Sequence, residues 1–168
     1  MRHSGPKAFK RRLKMQKGYS REVLKKLAEG KLGWENLKNI MSSPKDDDRF
    51  EKMIEIEQEK VPWNDEIMLS LAEHLYVVRK GSGYVVKCGC GYEFGDYREN
   101  WKLNSLVYER DPQDGEIFEP RRACDPDWMI LREFYCPGCQ AQLEVEAVPP
   151  GYPFVFDFLP DLESLEKR

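Results

Sequence analysis

The chain has 168 residues, 40% hydrophobic and 34% charged, with a formal net charge of −3. That length suits one domain with extensions, or two small units sharing a core. No run approaches the roughly 20 apolar residues of a membrane-spanning helix, and the basic N-terminus has no apolar stretch behind it of the kind a secretory signal carries, so a cytoplasmic protein is expected.

Charge is unevenly spread. Residues 1–21 hold eight basic residues (Arg2, Lys7, Lys10, Arg11, Arg12, Lys14, Lys17 and Arg21) and no acid, which leaves 19 basic against 30 acidic residues in the remainder. Residues 1–19 have little apolar content and no periodicity and are read as a basic, disordered extension. Ser20 then has the chemistry of a helix N-cap and Gly30 that of a terminator, with Val23, Leu24 and Leu27 as the apolar stripe between them. A second short helix is predicted from Trp34 to Met41, stopped by Ser42-Ser43-Pro44. A third follows Asp46-Asp47-Asp48 and carries Phe50, Met53, Ile54 and Ile56 as far as Lys60. Residues 64–74 fit either a short helix or an ordered loop, so 20–74 reads as a helical region.

The texture changes at Leu75. Leu75–Val78 and Tyr84–Lys87 are β-rich runs around the turn Lys80-Gly81-Ser82-Gly83, a hairpin signature. Leu103–Arg110, Met129–Tyr135 and the alternating Gln142–Val148 read as further strands. The expected architecture is therefore α+β: N-terminal helices, then a zinc-ribbon-like antiparallel domain over 75–150. An aromatic and acidic tail over 151–168 packs on the body or on a partner, because Tyr152, Phe154, Phe156 and Phe158 are too aromatic for a free surface.

Five cysteines are present, and four fall in two tight pairs, each behind a predicted strand: Cys88-Gly89-Cys90-Gly91 and Cys136-Pro137-Gly138-Cys139. In a reducing compartment such pairs favour metal over disulfides. Four cysteinates are a common tetrahedral zinc set, and they leave no open position for catalysis at the ion. The one-residue gap of the first pair is less usual than the two-residue gap of the second, and its glycines make it sterically feasible. An iron–sulfur centre and a disulfide pair are the alternatives. A deaminase zinc site needs His-x-Glu and Pro-Cys-x-x-Cys, whereas His74 is followed by Leu75-Tyr76 and Tyr135 precedes Cys136. Cys124 reads as a spare thiol and His74 as a partly buried, hydrogen-bonded residue. No phosphate-cradling loop or histidine-centred acid–base pair stands out, so no catalytic residue is assigned.

Several segments carry a family likeness: Val61-Pro62-Trp63, His74-Leu75-Tyr76, Lys87-Cys88-Gly89-Cys90-Gly91, the long run Glu93–Leu103 (EFGDYRENWKL), Asp125-Pro126-Asp127-Trp128, Leu131–Cys139 (LREFYCPGC) and Leu143–Glu146. Through them the chain resembles, over roughly residues 20–162, the gamma subunits of acetone carboxylase and related ATP-dependent ketone carboxylases. The resemblance implies a small zinc-binding subunit of a heterohexamer with two copies each of alpha, beta and gamma chains. The larger subunits would convert acetone and bicarbonate to acetoacetate, with ATP and manganese on those partners. Relatives acting on acetophenone-like ketones have similar small subunits, so the ketone is not fixed by this chain.

Two aromatic-rich segments are candidates for the subunit interface: Tyr97, Arg98 and Trp101 in one, and Tyr152, Phe154 and Phe156 in the other, since aromatics and arginine are favoured in interface cores. The competing reading of the first segment is a packed turn beside the metal. A different function, a zinc-ribbon protein gripping nucleic acid through the basic extension, meets an acidic body that would repel phosphate. A free-standing redox dithiol is disfavoured because neither cysteine pair opens a helix.

Overall fold

Two helices close tightly because their ends are chemically specified. The computed structural model describes residues 18–113, 115–117 and 119–166, so most of the basic extension lies outside the described residues. Helix α1 spans Arg21–Ala28. The Ser20 hydroxyl accepts a hydrogen bond from the Val23 amide, which satisfies one of the orphan donors of the first turn. Gly30, at φ +66°, and Lys31 bond back to the carbonyls of Leu27 and Lys26, the paired closure of a Schellman motif. Helix α2 spans Trp34–Ser42. The hydroxyls of Ser42 and Ser43 turn back to the Asn39 carbonyl there. Helix α3 spans Arg49–Gln58. At its start the Asp46 carboxylate accepts from the Tyr19 amide (3.1 Å) and from Arg49 Nε (2.8 Å), so residues 18–19 are already tied down.

The chain divides into two units, 1–53 and 54–168, with the division inside α3. Among the described residues of the first unit, Leu24 and Ile40 are the buried apolar side chains. The second unit is built from two antiparallel sheets. One has the order β1-β2-β3-β4, from Ile67–Ala72, Leu75–Lys80, Gly83–Cys88 and Glu93–Asp96. The other has the order β5-β6-β7, from Leu106–Arg110, Ile130–Tyr135 and Gln142–Val148. A short 3-10 turn, Trp101–Asn104, links β4 to β5. A short helix, α4, covers Leu162–Glu166.

Residues 64–74, read as a helix or loop, contain strand β1 instead. Met68, Leu69, Leu71 and Ala72 have good helix propensity, but pairing with the apolar β2 overrides it. Two register shifts along β1 also break the period-two pattern that would have marked it as a strand. The β1–β2 turn puts His74 at φ +64°, and His74 is exposed rather than partly buried.

Leu75, Val86, Cys88, Phe94, Trp101, Phe134, Cys136 and Leu143 form one buried cluster, drawn from both sheets and both cysteine turns. Within it, edge-to-face ring contacts run Tyr92–Phe94–Trp101–Phe134–Phe154 at centroid distances of 5.0 to 5.9 Å, the geometry that ring quadrupoles favour. Ile67, Tyr76 and Val78 line the other face of the first sheet with Ile54, Val61 and Trp63. The C-terminal segment 152–161 is irregular and adds no strand. Side chains hold it: Phe154 packs edge-to-face with Phe134 and lies under the Arg132 guanidinium, and Asn100 donates to the Phe154 carbonyl.

Candidate metal centre

Cys88 is the last residue of β3, and Cys136 directly follows β6. Each strand therefore delivers its chain into a tight turn. In the first turn the Gly91 amide bonds to the Cys88 carbonyl and the Cys88 amide to the Tyr92 carbonyl, both at 2.8 Å. In the second, the Gln140 amide bonds to the Cys136 carbonyl (2.8 Å) and the Cys136 amide to the Ala141 carbonyl (2.9 Å). The glycines are required by geometry. Gly91 sits at φ +104°, where a side chain is strained. A Cβ on Gly138 would lie 3.2 Å from Cys90 Sγ and 3.1 Å from Tyr92 Cβ.

The first turn is braced from outside. The Gly89 amide donates to the His74 carbonyl (2.9 Å), and Trp63 Nε1 donates to the Gly89 carbonyl (3.1 Å). The Lys87 ammonium lies 4.9 Å from the Trp63 ring centroid, within cation–π range.

The four Sγ atoms of Cys88, Cys90, Cys136 and Cys139 all lie within 4.8 Å of one another. The separations Cys88–Cys139 and Cys90–Cys136 are both 3.7 Å. A tetrahedral ion with metal–sulfur bonds of about 2.3 Å places its thiolates about 3.8 Å apart. A disulfide requires about 2.05 Å, so these pairs are free thiols at coordination spacing. The group is also too tight to enclose several irons with their bridging sulfides. The donor set and its dimensions fit one tetrahedral ion and are compatible with zinc.

Cys88 and Cys136 are buried while Cys90 and Cys139 face solvent. Burial pushes the Cys88 and Cys136 thiols above their usual range. At Cys90 burial acts the same way, but a hydrogen bond from the Tyr92 amide and the neighbouring sulfurs bring it below that range. The Gly138 amide points at Cys136 Sγ from 3.3 Å, a donor suited to a thiolate. Cys124 is exposed and stands outside the group.

The interface candidates divide in the structure. Trp101 is only 8% exposed and sits between Phe94 and Phe134, which places its ring in the packed core of this chain. Tyr97 packs edge-on against Tyr84 and against the core cluster. Arg98 is exposed and grips Asp96 through Nε (2.8 Å) and an η nitrogen (2.6 Å). Phe154 and Phe156 are half-buried, and Tyr152 is exposed.

A second charged centre was not anticipated from sequence. Lys102 is 1% exposed. Its ammonium donates to Glu144 (2.8 Å), Glu146 and Asp157. Burial pulls its pKa down, and the three carboxylates, Asp157 foremost, more than reverse that, so the net direction is upward. These three acids have metal-like spacing, but the lysine occupies their centre. A cavity of about 120 Å³ adjoins them, walled by Leu71, Leu75, Trp101 and Phe156 among others. The available signal was Glu144 and Glu146 on alternate positions of β7. A register shift beside Tyr135 leaves those acids turned inward and Val145 and Ala147 exposed, and two inward acids call for a buried cation.

Fold and site together define a small α+β protein organised around a zinc-ribbon-like four-cysteine centre. The family model described as acetone carboxylase gamma subunit matches residues 61–168. The chain is 41% identical over 150 residues to the acetone carboxylase gamma subunit of Xanthobacter autotrophicus, covering 87% of this chain and 89% of that one. It is 40% identical over 83 residues to the acetophenone carboxylase beta subunit of Aromatoleum aromaticum, covering 47% of this chain and 64% of that one. The chain belongs to the acetone carboxylase gamma subunit family.

Proposed function

We propose that this chain is the structural, zinc-holding gamma subunit of an ATP-dependent ketone carboxylase, which carboxylates acetone with bicarbonate to acetoacetate. In this reading the chain works in the cytoplasm within a heterohexamer of alpha, beta and gamma chains. ATP and manganese act on the larger subunits, and this chain contributes no catalytic residue. Cys88, Cys90, Cys136 and Cys139 hold the zinc, whose contribution is a cross-link between the two sheets at their cysteine turns. Arg98 and Tyr152, exposed in the free chain, are offered as partner contacts.

The closed four-thiolate set carries the reading. Four cysteinates fill a tetrahedral ion's coordination sphere, so no substrate oxygen can reach it, and the chemistry needs another home. The similarity to named carboxylase subunits supports placing it on partner chains. The test is co-expression of the tagged chain with the two larger subunits of the same source. All three are expected to co-elute, ketone- and ATP-dependent turnover is expected only with the large subunits present, and the isolated chain is expected to be inactive. Turnover by the isolated chain, or its elution without the large subunits, would refute the proposal.

A further inference from the structure

A sheet edge presents unpaired amides and carbonyls to any extended chain, and folded proteins blunt such edges with bulges, short strands or charges. Three of the four sheet edges here are blunted. Strand β1 carries two register shifts. Strand β4 is four residues long and shifts against β3. Strand β7 shifts against β6 and carries Glu144 and Glu146.

The fourth edge, β5, has none of these devices over its first three residues. Its five residues pair with β6 in unbroken register. Leu106, Val107 and Tyr108 are 49%, 38% and 50% exposed. Leu106 and Tyr108 share one face with Tyr135 and Glu133, where the Arg110 guanidinium lies 5.0 Å from the Tyr108 ring centroid, and Val107 shares the other with Phe134, so apolar side chains stand on both faces of the edge. Among the described residues no strand lies on the outer side of β5.

We infer that β5 is the docking edge for an extended, apolar segment of a larger carboxylase subunit, which adds a fourth strand to the sheet; this rests on the subunit role proposed above. Charge selects the occupant. Glu109 pairs with Arg132 at 3.1 Å and Arg110 with Glu133 at 3.1 Å, so the strand's charges are answered within the chain and the incoming strand needs none. A second copy fits poorly. Two-fold pairing centred on Tyr108 sets Leu106 against Arg110 and Val107 against Glu109. Pairing centred on Val107 matches apolar residues over three positions only, because Ser105 and the 3-10 turn Trp101–Asn104 precede them. Backbone pairing with an added strand, with pockets for alternate side chains, is an established recognition mode.

The test is amide hydrogen exchange followed by mass spectrometry on the free chain and on the purified complex with the large subunits. Peptides over 106–110 are expected to exchange roughly tenfold or more slowly in the complex. The double variant Leu106→Lys, Tyr108→Lys, with both sites half-exposed, is expected to keep its metal and melting curve and to lose roughly tenfold or more of large-subunit capture. Equal exchange of 106–110 in the two states, or undiminished capture by the folded variant, overturns the inference while leaving the subunit role standing. Protection already present in the free chain, or rising with its concentration, overturns it in favour of this chain or a second copy as occupant. Failure of the wild-type chain to capture the large subunits defeats both the role and the inference.

Discussion

Two charged centres in the second unit solve one electrostatic problem in opposite ways. At the cysteine turns four thiol groups converge at coordination spacing, and the cation proposed for them would come from outside the chain. At Lys102 three carboxylates converge, and the chain supplies the cation itself. On the zinc proposal, the first centre is expected to be emptied by a chelator and refilled. The second can be emptied only by mutation, because its cation arrives with the backbone. Both draw on separate stretches of sequence, so each cross-links parts of the chain that are far apart along it.

Emptying the first centre is expected to have the largest effect. Cys136→Ser removes a buried ligand, and structural zinc sites have apparent energies of about 10 kcal/mol. The variant is therefore expected to purify without metal and to lose the cooperative unfolding transition of the second unit. Metal analysis and a thermal melt check this. Cys124→Ser serves as the contrast, with metal content and melting expected to match wild type.

Emptying the second centre ranks next. Lys102→Met removes the central cation from Glu144, Glu146 and Asp157 and leaves Glu146 the Arg132 guanidinium at 3.8 Å, and breaking a buried pair costs about 3–5 kcal/mol. In the wild type the lysine pKa is raised, so its contribution is fully present below the unfolded value of about 10.4 and is lost only as pH rises through the higher folded value. Denaturant titrations of the variant and the wild type at pH 8 measure the deficit.

Trp101→Ala separates core from interface. With Trp101 held between Phe94 and Phe134, truncation is expected to cost about 3–5 kcal/mol. Partner capture per folded molecule should stay at the wild-type level. Undiminished stability with lost capture would return Trp101 to the interface set.

The same two centres show what a sequence can carry. The cysteine turns were legible because both members of each pair are local: a spacing of two or three residues with glycine between them is enough. The helix caps at Ser20 and Gly30 were readable for the same reason. The Lys102 centre was not readable, because it joins residues 102, 144, 146 and 157, and only the folded sheets bring those together. Strand β1 was obscured by its own bulges, and Trp101 by an aromatic and charged neighbourhood that interfaces and packed turns share. Phe94 and Phe134, on different sheets, both pack edge-on against Trp101, and no local pattern encodes that arrangement.

The smallest expected effect is a titration. The Arg98 guanidinium, helped by its own backbone amide, depresses the Asp96 carboxyl to about 2. Any stability linked to Asp96 is therefore present above the unfolded value of about 3.9 and is lost as pH falls through the folded value. Arg98→Gln is expected to move the Asp96 midpoint, followed by NMR, back toward the unfolded value with the fold unchanged.

Native mass spectrometry of the tagged chain, purified alone and with the larger subunits, tests the central claim most directly, because one spectrum reports both metal and partners. The expected result is one zinc for each copy of this chain in both preparations, together with an assembly containing two larger subunits. A metal-free chain with its cysteines oxidised, a mass increment of several irons, or a zinc-loaded chain that never joins the larger subunits would contradict it.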